Sequence, residues 1–129
     1  MRKVRGQDAH GSGEWHAPRV SRKHKGIDYV CEEGDYVRSD VEGKVTKIGY
    51  PYNPSDPKKG HLRYVEVTDK ERSRVRYFYV EPKVSQGDMI YPSDILGKSQ
   101  DLTKIWPGMT QHFHLEVIAY VNPEEYLFK

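Results

Sequence analysis

A chain of 129 residues with 36% hydrophobic content is long enough for one packed domain and too short for two independent cores. Its formal net charge of +2, with Lys and Arg interleaved among Asp and Glu, is too small to argue for nucleic acid as a partner. The longest apolar stretch near the end, 117–121, is far short of a membrane span, and no apolar run follows the basic start Met1-Arg2-Lys3-Val4-Arg5, so neither a transmembrane segment nor a signal peptide is expected.

Residues 1–20 carry Gly6, Gly11, Gly13 and Pro18 with little periodicity and read as an irregular arm. Residues 21–129 read as the domain proper. The basic residues near the start (Arg2, Lys3, Arg5, Arg19, Arg22, Lys23, Lys25) would suit an anionic partner such as a cell-wall polymer, although a solvated charged surface is the plainer explanation. The lone Cys31, in the apolar stretch Tyr29-Val30-Cys31, cannot form an internal disulfide and reads as a small buried residue rather than a nucleophile.

Downstream the chain reads as β structure, with short runs of Val, Ile, Tyr and Thr between Gly, Pro, Asn and Asp clusters. Residues 41–50 predict a strand broken at Gly43, and 50–60, with Pro51, Pro54 and Pro57, a long loop. Residues 63–68 and 74–80 alternate cleanly about the charged turn Asp69-Lys70-Glu71-Arg72, which predicts a hairpin. Gln86-Gly87-Asp88 is a turn before two short strands at 89–91 and 95–97. Residues 101–108 suggest a short helical or irregular connection, 112–121 the last long strand, and Asn122-Pro123-Glu124-Glu125 the start of a capped terminal helix. The sum is an all-β domain, mostly antiparallel, with short helical turns.

The run Gln111-His112-Phe113-His114-Leu115-Glu116-Val117 carries the most chemistry. Side chains two apart on a strand share a face, so both imidazoles project to one place. Far upstream, His24-Lys25-Gly26-Ile27-Asp28 adds a third imidazole and a carboxylate. Together these are the donors of a catalytic zinc ion with an open position. Either motif alone is weak, and for any one histidine a surface or hydrogen-bonded core role is the default. That default covers His10, His16 and His61. Glu116 shares the face of the histidine pair and would either steady an imidazole or form a cross-strand ion pair. Trp15, Trp106, Tyr50 and Tyr52 would either wall a groove or join the core.

In order along the chain, the motifs resemble those of lysostaphin-type zinc metallopeptidases. The matching segments are Arg22-Lys23-His24-Lys25-Gly26-Ile27-Asp28, Glu33-Gly34-Asp35-Tyr36-Val37, Val41-Glu42-Gly43-Lys44-Val45, Gln86-Gly87-Asp88-Met89-Ile90, Ile95-Leu96-Gly97 and the H-x-H-x-E-V run at 112–117. The resemblance implies zinc (Zn2+) held by His24, Asp28 and His114, with His112 as a catalytic imidazole. It also implies an endopeptidase acting on cross-bridges or stem peptides of bacterial peptidoglycan, outside the cell, in the periplasm or delivered by a phage. Arg19 matches an arginine often found before H-x-G-x-D in similar sequences, where it would position a substrate carboxylate or brace the loop.

Where that family places its remaining catalytic histidine, this chain has Tyr79, in Arg76-Tyr77-Phe78-Tyr79-Val80. A phenol there would donate to the developing oxyanion. Otherwise the chain would be a catalytically silent zinc-binding module on the same scaffold. The Phe-Tyr-Val segment, Trp106-Pro107-Gly108 and Gly11-Ser12-Gly13-Glu14-Trp15 resemble the leukocyte cell-derived chemotaxin branch of the fold. The disulfide-forming cysteines of that branch are absent, apart from one at the position of Cys31. This favours a bacterial or phage protein over a secreted animal signal.

Overall fold

A computed structural model describes residues 2–6, 14–15 and 23–120, the backbone alone for 14–15 and 23–25. Among the described residues, eleven strands run in chain order: β1 (Lys3–Val4), β2 (Glu14–Trp15), β3 (Lys23–Val30), β4 (Tyr36–Arg38), β5 (Gly43–Gly49), β6 (Tyr64–Asp69), β7 (Arg74–Phe78), β8 (Val80–Pro82), β9 (Met89–Ile90), β10 (Ile95–Ser99) and β11 (His112–Ala119). Every pairing is antiparallel. Strands β1, β3, β11, β7, β6, β5 and β9 lie side by side in that order with β2 also on β3, while β4, β10 and β8 form a second, three-stranded sheet.

Alternation divides the large sheet into two faces. Val45, Val65, Val67, Val75, Tyr77 and Phe113 point one way and pack against Val37, Val80 and Leu96 of the small sheet, forming the core. The other face carries His112, His114, Asp28, Phe78, Arg76, Tyr64 and Glu66, which the register brings side by side across four strands. The predicted hairpin is β6–β7, with Arg72 in the left-handed region (φ 66°) at its turn.

Strand β5 departs from simple alternation. Val45 pairs with Val67 and Ile48 with Val65, so two inward residues stand three apart. The register shift between Val45 and Lys47 is a bulge that absorbs the extra residue. It aims Thr46 at Glu66 Oε1 (2.7 Å) and brings its hydroxyl to that of Thr68 (2.8 Å). The irregularity thus sits at Thr46 rather than at Gly43.

Two other expectations change and one is narrowed. Within the stretch read as an irregular arm, 3–4 and 14–15 are strands that extend the sheet beside β3. No described residue is helical; at 101–108 a single turn is closed onto the Leu102 carbonyl by the amides of Ile105 (3.1 Å) and Trp106 (2.9 Å). Pro107 and Gly108, the latter at φ 86°, stop it from continuing. The helix expected from 122 lies outside the described residues. Finally, 74–80 is not one strand: it breaks at Tyr79, which takes φ 68°.

Candidate active site

The site forms where β11 meets β3. Their register sets His114 opposite Asp28, residues 86 apart in sequence. His114 Nδ1 donates to Asp28 Oδ1 at 2.5 Å. The other carboxylate oxygen, Oδ2, accepts from Arg5 Nη1 at 2.7 Å and lies 3.5 Å from His112 Nε2. Arg5, Asp28 and His112 are each under a tenth exposed. Burial alone would raise the Asp28 pKa. Hydrogen bonding from His114 and from the Arg5 guanidinium outweighs it and holds that carboxyl below the usual carboxylate range.

The two imidazoles of β11 differ in kind. His112 Nδ1 sits 2.7 Å from the Thr110 carbonyl, which can only accept, so Nδ1 carries the proton and the lone pair of Nε2 faces Asp28. Burial pushes the pKa of His112 down, against the Thr110 bond and the Asp28 charge, leaving a neutral base. His114 goes the other way. Burial opposes its protonation, but Asp28 on one side and Glu116 on the other (Nε2 to Oε2, 3.8 Å) raise its pKa to about 9.

Tyr79 stands beside them, its ring edge-on to His112 at 5.7 Å between centroids and to Trp106 at 6.3 Å. Burial, the hydrogen-bonded Tyr52 phenol and the Asp28 charge all push the Tyr79 hydroxyl well above its ordinary pKa. It is a donor throughout the accessible pH range. Its left-handed backbone costs about 1–2 kcal/mol for a bulky residue. Three backbone bonds hold it there: the amides of Tyr79 (2.8 Å) and Val80 (3.2 Å) donate to Arg63 O, and Gln100 N donates to Tyr79 O (2.8 Å). Gln100 also bonds through its side chain to Arg63 N (2.8 Å) and His61 O (2.9 Å), tying Tyr79 to the end of the 50–62 loop. A strained residue beside a base and a buried carboxylate is where function concentrates.

The structure brings together four of the five residues singled out in sequence: Asp28, His112, His114 and Tyr79. The fifth, His24, lies four residues before Asp28 on a regular stretch of β3, paired with Ile118 through the backbone, which sets the two Cα atoms about 13 Å apart. The position of its side chain lies outside the described residues, as do Arg19, His10 and His16. His61 is exposed, as its default role requires. Trp106 and Tyr52 (6.1 Å between ring centroids) both pack beside Tyr79, whereas Tyr50 lies under the Arg63 guanidinium.

Donor chemistry at this spot suits zinc. Asp28 Oδ1 and His114 Nδ1 already face one another, and a tetrahedral ion would need them about 3.3 Å apart, a separation under 1 Å wider than observed. Among the described residues, no group of three or more His, Cys, Asp and Glu side chains could hold a metal; were an ion to bind, a third donor would come from outside them, with His24, its Cα about 13 Å from that of Asp28, the candidate on the same strand. Two contributors escaped the sequence reading. Thr110 acts through its carbonyl, for which side-chain identity gives no signal, and Arg5 appeared only as one of several basic residues in the arm.

The profile of peptidase family M23 matches residues 22–124. Among curated proteins, leukocyte cell-derived chemotaxin-2 of Mus musculus is 30% identical over 124 residues, covering 96% of this chain and 79% of that protein. Among solved structures, LytU superposes with a TM-score of 0.63 at 18% identity, covering 95% of this chain and 77% of that one. Lysostaphin of Staphylococcus simulans gives 0.56 at 19% identity over 78% of this chain, which spans 39% of the lysostaphin chain. At such identities the two structural likenesses speak to the fold.

Proposed function

Because the chain belongs to peptidase family M23, we propose that it is a zinc-dependent endopeptidase cleaving peptide bonds of bacterial peptidoglycan, in the cross-bridge or the stem peptide. Its place of action is then the bacterial cell wall. Asp28 and His114, with His24, are the residues that would hold the ion. When bound, zinc supplies polarisation of the scissile carbonyl and lowers the pKa of a coordinated water to about 7.

The remaining chemistry belongs to the chain's own side chains. His112 accepts the proton of the attacking water at Nε2 and returns it to the leaving amine. Its Nδ1–H stays on Thr110 throughout and keeps the ring in one tautomer. Tyr79 donates to the oxygen that gains charge, and its raised pKa keeps that donor in place. Tyr52 and Trp106 form one wall of the approach. The observation that carries this reading is the neutral, oriented imidazole of His112 3.5 Å from the carboxylate of a prospective metal ligand.

Zinc-loaded protein should therefore release soluble muropeptides from cell-wall suspensions, identified by mass spectrometry. That release should stop on chelation and fall about 10²–10⁴-fold in His112→Ala. The second reading, a silent zinc-binding module, draws support from Tyr79 itself, which cannot serve as a base, and from the likeness to chemotaxin-2. It prevails if the wild type is inert and Tyr79→His turns hydrolysis on. Histidine tolerates the left-handed backbone at that position better than most residues.

A further inference from the structure

Arg5 reaches the site from 23 residues upstream of Asp28, and its place there is fixed from several directions. Its own amide donates to the Asp28 carbonyl (2.7 Å), and the neighbouring pairs Lys3 with Val30 and Val4 with Tyr29 hold β1 on β3. Three residues earlier, Arg2 donates to Asp40 Oδ1 (2.5 Å) and the Arg38 carbonyl (2.8 Å) and lies over the rings of Tyr29 and Phe113. The guanidinium of Arg5 is thus a permanent, buried cation on Oδ2, the oxygen next to the one that faces His114.

Two effects of such a cation on metal binding oppose one another. Contacts that orient a ligating carboxylate are typically worth 10–100-fold in affinity. Here the strand that carries Asp28 is held without the Arg5 side chain, by the β3–β11 register and by the Arg5 amide on the Asp28 carbonyl, while the bond from His114 is given up when its Nδ1 turns to the metal. Against it stands repulsion between a guanidinium and a divalent ion with no more than a carboxylate between them, at an effective dielectric of about 20. At that spacing the repulsion is the larger effect.

We infer that Arg5 is a resident counter-cation of the metal site, balancing the buried Asp28 charge when no ion is bound and weakening divalent binding at least tenfold. The inference rests on the assignment of Asp28 and His114 as metal donors. It makes β1 part of the site: a segment that brings a positive charge to a carboxylate where a second positive charge must also sit. Loading and release of the ion are then readily reversible, and the affinity is set from outside the motifs that supply the donors.

Zinc affinity, measured by competition with a chromophoric chelator, tests this in wild type, Arg5→Gln, Arg5→Met and Arg5→Lys. Gln keeps a hydrogen-bond donor without the charge, Met removes both, and Lys keeps the charge. Gln and Met should bind zinc at least tenfold more tightly than wild type, and Lys within about threefold of it. If Met fails to fold, Gln alone carries the comparison. Weaker or unchanged binding in Gln overturns the inference and makes Arg5 a support for the ligand. Zinc binding by none of the proteins, wild type included, would instead remove the metal assignment and the inference with it.

Discussion

The two faces of the large sheet, one fully and one partly buried, are held by different means. Towards the small sheet, Val65, Val67, Tyr77 and their neighbours are fully enclosed and stabilise the fold through the area they remove from water. On the opposite face the enclosed polar groups are Asp28, Glu66 and His112, beside the buried Tyr64 ring, and each is matched to a partner. One face answers mainly to apolar volume, apart from the Tyr77 hydroxyl, which donates to Asp40 Oδ2 (2.7 Å). The other depends on pairs, and losing one member leaves its partner stranded in a poor solvent for charge. This contrast explains how a strained tyrosine and a buried carboxylate persist in so small a domain: the stability comes from the far side of the same strands.

The contrast can be broken most forcefully from the apolar side. Phe113→Ala removes a ring packed on Tyr29 at 5.6 Å and should cost about 3–5 kcal/mol in urea unfolding. His112 and His114, one residue to either side, would keep their register in whatever protein remains folded. A smaller loss, about 1–3 kcal/mol, is expected of Glu66→Gln, which strips the charge from the acceptor of Thr46 Oγ1 and Arg76 Nε (2.8 Å). If Glu66→Gln cost as much as Phe113→Ala, the division of labour between the faces would be wrong.

The finest test is the pH dependence of unfolding in protein stripped of metal by chelation. Asp28 and Glu66 have depressed pKa values in the fold, so their contribution is present above the ordinary carboxylate range and is lost as the pH falls through the folded values. His114 is raised to about 9, so its contribution is complete below about 6.5 and disappears as the pH climbs through 9. Zinc loading, which requires a deprotonated imidazole, should abolish the alkaline decline and leave the acid one. An alkaline decline of equal size in His114→Gln would assign it to another group.

Local pattern made much of this legible. The alternation of β11 and of the β6–β7 hairpin is written in the residues, and it alone puts His112 and His114 on one face. What could not be read depends on partners distant in sequence. Tyr79 continues the alternation of β7 so well that nothing nearby marks the break; the left-handed turn arises because the chain must leave one sheet and enter the other there. Arg5 follows basic residues and precedes a glycine, a context that reads as a solvated arm, and only the β1–β3 pairing delivers it to Asp28. At 101–108 the mixed signals resolved into one turn because Pro107 and Gly108 leave no room for a second.

Gln100 ties the candidate site to the loop at its border. One amide side chain and one backbone amide clamp the carbonyl of the strained tyrosine, the start of β6 and the last residues of the 50–62 loop. The loop that carries Tyr52 is therefore anchored at its far end, through His61 and Gln100, to Tyr79. On the proposed function, Tyr52 and Trp106 would therefore meet a substrate as a wall already in place rather than as a flap that folds over it.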